Sequence, residues 1–163
     1  VQIKGKSRFL KALEIPILFT CLIKLRPVKI QLIDNQRMIW DPCRKKYVPH
    51  TPEEYVRQSA IEILHQHYNY PLNKMAVERE FHINGRKKRF DLLLFNSGNE
   101  PFVLIECKAP EVSLDQSVID QISRYHFVVK APFLAVTNGK NMLVSGLTRS
   151  GEWKSYTDLP PYS

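Results

Sequence analysis

From Val28 to Ile33 apolar and polar residues alternate, which predicts a short strand; Asp34-Asn35 is a turn signal, and Met38–Trp40 is the partner strand it implies. Arg44-Lys45-Lys46 follows as a basic loop. Thr51-Pro52-Glu53-Glu54 has the form of a helix start. Thr51 is the N-cap, Pro52 takes the first helical position, where its missing N–H costs nothing, and Glu54 closes a capping box. Val56, Ala60, Ile63, Leu64 and His67 then recur at helical spacing, so the helix runs to about Tyr68 and ends before Tyr70-Pro71.

Downstream the period changes. Met75–Ile83 and Lys88–Phe95 flank Asn84-Gly85, a hairpin turn signal. Ser97–Pro101 is a second turn, and Pro101–Lys108 is a strand whose continuous apolar run, Phe102 to Ile105, suits burial on both faces. Ser113-x-x-Gln116 opens a second helix with Val118, Ile122, Tyr125 and Val129 on one stripe. Pro132–Thr137, the turn Asn138-Gly139 and Met142–Val144 read as strand, turn and strand, with a last short strand around Trp153. There is no internal repeat and no low-complexity tract. A helix, three strands, a helix and two strands predict an α/β fold, a mixed central sheet flanked by helices, with residues 28–163 forming one domain.

Composition narrows the class. A chain of 163 residues is about one domain's length. With 44% hydrophobic and 25% charged residues it is neither disordered nor fibrous. Cys21, Cys43 and Cys107 form no Cys-x-x-Cys pair, which argues against a disulfide scaffold or zinc ribbon and makes a reducing, cytoplasmic setting the default. The net charge of +8 is unevenly placed: residues 1–50 hold eleven Lys or Arg against three acids, whereas residues 51–163 hold thirteen of each. A basic arm beside a neutral domain suits a polyanion such as DNA or an anionic surface, and equally a solvated tail. In residues 1–27, Lys4, Lys6, Arg8 and Lys11 precede the apolar stretch Ile15–Ile23, the outline of a signal peptide without its small-residue cleavage site. That stretch falls well short of the ~20 residues that span a bilayer. No membrane association is expected, and the segment is read as a basic and apolar extension.

Two acids interrupt apolar strands, an expensive place for charge. Asp91 stands in Phe90-Asp91-Leu92-Leu93-Leu94-Phe95, and Glu106 and Lys108 end Phe102-Val103-Leu104-Ile105-Glu106-Cys107-Lys108. Strand alternation points Glu106 and Lys108 the same way and Cys107 toward the core. If the strands are adjacent, Asp91 joins that pair. Two neighbouring carboxylates repel, and a hard divalent cation such as Mg²⁺, which takes one or two carboxylates and keeps waters, removes the conflict. An adjacent Lys can orient a water or stabilise a developing oxyanion on phosphorus. The set is a minimum kit for phosphodiester hydrolysis, although a Glu and Lys two apart on a strand also make an ordinary surface ion pair. Gln121 and Tyr125, four apart, share a helix face and can both donate near a phosphate.

The block Asp91…Glu106-Cys107-Lys108…Gln121-x-x-x-Tyr125 resembles the PD-(D/E)XK nuclease superfamily. Tyr47-Val48, Thr51-Pro52-Glu53-Glu54-Tyr55-Val56-Arg57-Gln58, Asn84-Gly85-Arg86-Lys87-Lys88-Arg89-Phe90-Asp91, Glu106-Cys107-Lys108-Ala109-Pro110-Glu111 and Thr137-Asn138-Gly139 look, in that order, like the N-terminal nuclease domain of type I restriction enzyme R subunits. The resemblance covers about Val28 to Val144. It implies a restriction-endonuclease-like αβββαβ core and a Mg²⁺-dependent DNA endonuclease. Asp91 and Glu106 would hold the metal, Lys108 would help activate water, and Gln121 and Tyr125 would support cleavage. Some superfamily members add a first-helix acid, here Glu54 or Glu62. No phosphate-binding loop of the Gly-x-x-x-x-Gly-Lys-Ser/Thr kind is present, so the ATP-driven motor of a complete R subunit is absent from this sequence, and a separate motor or specificity subunit is the implied partner.

Arg86-Lys87-Lys88-Arg89 leads into the Asp91 strand and is the candidate contact to nucleic-acid phosphates, with a solvated hairpin shoulder as the plainer reading. His65 and His67 project about 200° apart on a helix and cannot share a metal. A non-catalytic nucleic-acid-binding or partner-docking domain on the same fold is the alternative to the nuclease, and an RNA or junction nuclease is a third reading.

Overall fold

A computed structural model describes residues 28–163, so the expectations for residues 1–27 lie outside the described residues. Strands β1 (Ile30–Ile33), β2 (Gln36–Asp41) and β3 (Lys46–Pro49) form an antiparallel meander. Ile30 pairs with Ile39 as the turn signal implied, and Asp34 and Asn35 both take positive φ (48° and 62°), the conformation a tight hairpin turn needs. The strand β3 was not anticipated. The basic Arg44-Lys45-Lys46 segment forms the turn that leads into it, with Arg44 folding back on Asp41 through its N–H (2.8 Å) and its Nε (2.5 Å).

Helix α1 (Pro52–Gln66) begins as expected: Thr51 Oγ1 accepts the Glu54 N–H at 3.0 Å, with Pro52 in the first turn. The reciprocal half of the capping box is not made, since the Glu54 side chain turns to Arg44, Arg57 and Gln58. Val56, Ala60, Ile61 and Leu64 bury an apolar face, and Arg57 and Gln58 are buried beside it.

The main sheet has the order β11 (Trp153–Tyr156), β10 (Met142–Leu147), β9 (Phe133–Thr137), β8 (Pro101–Cys107), β7 (Leu92–Phe95), β4 (Met75–Val77). Only β8 and β9 run parallel, joined by α2 (Gln116–Val129). Val103 and Ile105 of β8 pack with Val56, Ala60 and Leu64 of α1, while Leu104 packs with Val118 and Ile122 of α2. The continuous apolar run is thus covered on both faces. Helix α2 starts from Asp115, whose Oδ1 accepts the Ser117 and Val118 N–H groups at 2.9 and 3.4 Å, not from Ser113 as the capping pattern suggested.

The expected long hairpin is broken in the middle. Its inner halves, β4 and β7, join the main sheet; its outer halves, β5 (Glu80–Ile83) and β6 (Arg86–Arg89), form a separate ribbon. The break falls at Glu78, a non-glycine residue at φ 49°, and at Asp91 opposite it. A residue outside the extended region deflects its strand as a bulge does. Backbone groups stay satisfied across the break, Glu78 N–H to Asp91 C=O at 2.9 Å and Phe90 N–H to Arg79 C=O at 3.3 Å. The ribbon thereby reaches α2, where the Phe81 ring meets Tyr125 edge-on with centroids 5.2 Å apart. Among the described residues no helix is long and apolar enough to cross a membrane.

Candidate active site

Asp91 immediately precedes β7, Glu106 is the penultimate residue of β8 and Lys108 lies just past its end. Leu92 pairs with Ile105 across the antiparallel β7–β8 ladder, so Asp91 falls opposite Glu106 at one end of the sheet. Lys108 Nζ donates to Glu106 Oε1 at 3.0 Å, as residues two apart on one strand face should, and Cys107 points away, fully buried in the core under α1. The three residues the sequence singled out therefore come together.

Asp91 is held firmly. Its Oδ2 accepts the Cys107 N–H at 2.7 Å, locking it to β8, and its Oδ1 accepts from Arg57 Nη2 at 2.7 Å, locking it to α1. A carboxylate offers about four lone-pair sites, so each oxygen keeps acceptor capacity. Arg57 is the residue that sequence reasoning missed. It is 5% exposed and also pairs with Glu54 and, at 3.3 Å, with Glu78. Arg44 joins Asp41, Glu54 and Glu78, Gln58 Nε2 donates to Asp41 (3.0 Å) and Glu54 (2.7 Å), and Arg89 reaches Glu78 at 3.1 Å. This network ties the β1–β3 meander, α1 and the hairpin break to the Asp91 carboxylate. Burial pulls the Arg57 pKa down, but Asp91 and Glu54 outweigh it and hold it above its ordinary value. The signal was present in Val56-Arg57-Gln58, since these positions flank the apolar stripe of an otherwise buried helix.

The electrostatics single out Glu106. Burial, and then the charge of Asp91, push its pKa up from 4.5 to about 7, against the opposing pull of Lys108. For Lys108, burial lowers the pKa but the Glu106 charge and hydrogen bond more than compensate, leaving it raised and the side chain an ammonium. The buried Cys107 thiol is pushed well up by desolvation and by Asp91, which makes it an inert core residue.

The two expected first-helix acids have other partners. Glu54 is committed to Arg44, Arg57 and Gln58, and Glu62 is bonded by Gln66 further along the helix. Glu53 is the nearer acid: its charge acts on Glu106, Cys107 and Lys108. Among the described residues no three His, Cys, Asp or Glu side chains form a group able to hold a metal. Asp91 and Glu106 are thus a two-carboxylate set of hard oxygen donors. That set suits Mg²⁺ with its retained waters and does not suit a structural zinc.

Gln121 and Tyr125 stand on α2. With Ser117, Arg124, Arg86 and Lys88 they line a groove of about 720 Å³ between α2 and the β5–β6 ribbon. Asp91, Glu106 and Lys108 are not in its lining, and Tyr125 is connected to Asp91 through rings: Tyr125 against Phe81, and Phe81 stacked on Phe90 at 5.8 Å. The basic run forms β6, every residue of it exposed.

Residues 52–160 match the family model described as the type I restriction enzyme R protein N terminus. The chain belongs to that family. The match starts at α1, leaving the β1–β3 meander outside it, and includes Asp91, Glu106, Lys108, Gln121 and Tyr125. Among solved structures, the R-protein N-terminal fold is shared with a fragment assigned as the HsdR subunit of a type I restriction enzyme from Vibrio vulnificus YJ016, at a TM-score of 0.51 and 20% identity. The likeness covers 67% of this chain and 23% of that one. A search of curated proteins gives no match.

Proposed function

We propose that this R-protein N-terminal domain is a Mg²⁺-dependent DNA endonuclease on a restriction-endonuclease-like αβββαβ core of the PD-(D/E)XK kind. The carrying observation is the meeting of Asp91, Glu106 and Lys108 at one end of β7 and β8, with the two acids in opposed positions and Lys108 3.0 Å from Glu106. The raised pKa of Glu106 supports the reading, since a buried carboxyl beside another carboxylate is where a cation is most stabilising.

Asp91 and Glu106 would hold the metal. Bound there, Mg²⁺ supplies Lewis acidity toward a phosphoryl oxygen and lowers the pKa of an attacking water. The protein's own contributions follow from its contacts. Arg57 and the Cys107 N–H fix both oxygens of Asp91, so that carboxylate is oriented before substrate arrives. Lys108, an ammonium, stabilises charge developing on the non-bridging oxygens of phosphorus and positions a water by donation. Its raised pKa makes it a poor general base. The Arg86–Arg89 strand brings phosphates to the neighbouring ribbon. As the family resemblance implies, a separate motor or specificity subunit would deliver the DNA.

A non-catalytic docking domain is the second reading, and it draws on the fact that both Asp91 oxygens already have protein partners. Incubation of the purified protein with supercoiled plasmid at low salt, in Mg²⁺ and in EDTA, separates the two. Nicking in Mg²⁺ alone, lost in Asp91→Ala and in Lys108→Ala variants that retain the wild-type circular dichroism spectrum, supports the nuclease. Nicking that survives both changes refutes the site.

A further inference from the structure

The Thr137-Asn138-Gly139 sequence has no part in the site as described so far, yet both of its polar side chains are buried, Thr137 at 0% and Asn138 at 4% exposed. Buried polar groups need partners, and where those partners lie shows what the side chain holds together. Thr137 Oγ1 donates to the Asn141 C=O at 2.9 Å and accepts the Gly139 N–H at 3.1 Å. Asn138 Oδ1 accepts the Lys140 and Asn141 N–H groups at 3.0 and 2.8 Å, and Gly139 takes φ 82°, which glycine adopts without strain. The turn that ends β9 is therefore closed without Asn138 Nδ2. That amide instead crosses to another loop and donates to the Val112 C=O at 2.8 Å.

The loop it reaches is the one that begins with Lys108. The parallel register of β8 and β9 ends at Cys107 opposite Thr137, so Lys108 stands where the chain leaves the sheet. Its N–H still donates to the Thr137 C=O at 2.8 Å, and the Val112 N–H donates to the Ala109 C=O at 3.0 Å, which closes residues 109–112 into a turn. Residues 108–112 are thus pinned at their start by Thr137 and at their end by Asn138. We infer that Asn138 is a positioning residue for Lys108. By tying Val112 to the β9 turn it fixes the path of the chain leaving β8, and with it the direction of the Lys108 ammonium onto Glu106, 3.0 Å away. A site side chain stays in its working geometry only when the backbone behind it is held in this way. That Lys108 serves cleavage rests on the nuclease reading; the tie between the two loops does not. Were Asn138 only a group that satisfies a buried carbonyl, its loss would lower stability and leave Lys108 where it is.

The test compares wild type with Asn138→Ser and Asn138→Asp. Both keep an oxygen that can close the β9 turn and both lose the donor to Val112; only the second adds charge. Gly146→Ala, at the far end of β9 beside Phe133, is the control for a loss of stability alone. The first measurement is nuclear magnetic resonance in EDTA without DNA, following amide hydrogen exchange and the Lys108 ammonium signal, assigned by its absence from Lys108→Gln. In both Asn138 variants the Lys108 and Val112 amides should exchange roughly 2- to 10-fold faster, the factor that one net hydrogen bond gives. The ammonium signal should move toward those of exposed lysines, and amides of α1 and β7 should exchange as in Gly146→Ala. An unmoved Lys108 signal, or one displaced equally in Gly146→Ala, overturns the inference whether or not the chain cleaves DNA. The second measurement is plasmid nicking in Mg²⁺, where kcat should fall by about 10- to 100-fold in both Asn138 variants with KM unchanged, and Gly146→Ala should match wild type. A kcat equal to wild type in either Asn138 variant also overturns it. Absence of nicking by wild type retires the nuclease reading, and the resonance measurement then decides the placement of Lys108 by itself.

Discussion

Glu106 should weaken the fold in order to be available, and replacing it with glutamine should reveal by how much. The residue is 8% exposed, and its pKa rises from 4.5 to about 7 in the folded chain. One unit is ~1.4 kcal/mol, so a gap from 4.5 to about 7 amounts to roughly 3 kcal/mol against folding once the carboxyl is ionised. The direction follows from which state releases its proton first. At a pH below 4.5 the group is protonated in both states and contributes nothing. Between 4.5 and about 7 the unfolded chain ionises while the folded chain holds its proton, so stability falls as pH rises. Above about 7 the whole penalty is present. Glutamine has nearly the same shape and cannot ionise. Glu106→Gln should therefore match wild type at about pH 4 and exceed it by roughly 3 kcal/mol at about pH 8, a melting-temperature gain of roughly 6–12 °C for a chain of this size. Thermal and urea unfolding followed by circular dichroism in EDTA across that range provide the measurement. Groups away from Asp91, Cys107 and Lys108 cancel in the difference. A difference that does not change with pH, or a variant less stable than wild type at about pH 8, would refute the electrostatic account of this site. The same variant should lose cleavage, as expected where stability is given up for function.

Two further outcomes follow from the buried contacts. Arg57→Met leaves Asp91 and Glu54 buried without their shared cation and should cost about 3–5 kcal/mol, read as a lowered urea midpoint; a loss below about 1 kcal/mol would mean that Arg44 alone carries the network. Gly146 in β10 is flanked by the rings of Phe133 and Tyr156, each with a carbon 2.7 Å from where a Cβ would stand. Gly146→Ala should thus destabilise by about 1–3 kcal/mol through forced repacking of strands β9 to β11, measured as a fall in melting temperature.

Much of the fold was legible because period and punctuation agree locally. Thr51-Pro52 set the start of α1, Asn84-Gly85 set the ribbon turn, and the apolar run at Phe102–Ile105 marked the doubly covered β8. The hairpin break was not legible. It depends on Glu78 adopting φ 49° while its carboxylate is bound by Arg44, Arg57 and Arg89, residues spread along the chain that no local window joins. The strand β3 was hidden for a related reason: the basic loop at Arg44-Lys45-Lys46 gives no sign of turning back into a strand until Asp41, Glu54 and Glu78 are seen around Arg44. At the site, Glu106 and Lys108 followed from alternation alone, and Asp91 followed from adjacency of β7 and β8. Glu53 was not among the first-helix acids read from the sequence, which were Glu54 and Glu62. Glu53 and Glu54 lie about 100° apart on the helix, and Arg57 and Gln58 hold Glu54 inward. Strand alternation in Arg86–Arg89 was not drawn from the sequence; in the fold Lys87 pairs with Glu80 and Arg89 with Glu78.

The central claim is that Asp91 and Glu106 together hold a divalent cation, and isothermal titration of the purified protein with Mg²⁺ measures it most directly. Wild type should bind a single ion per chain with release of protons near neutral pH, because occupation of the site requires Glu106 to ionise. Binding should vanish in both Asp91→Ala and Glu106→Gln. A titration in which either variant retains wild-type affinity and stoichiometry, or in which the folded wild-type protein binds no Mg²⁺, would contradict the account.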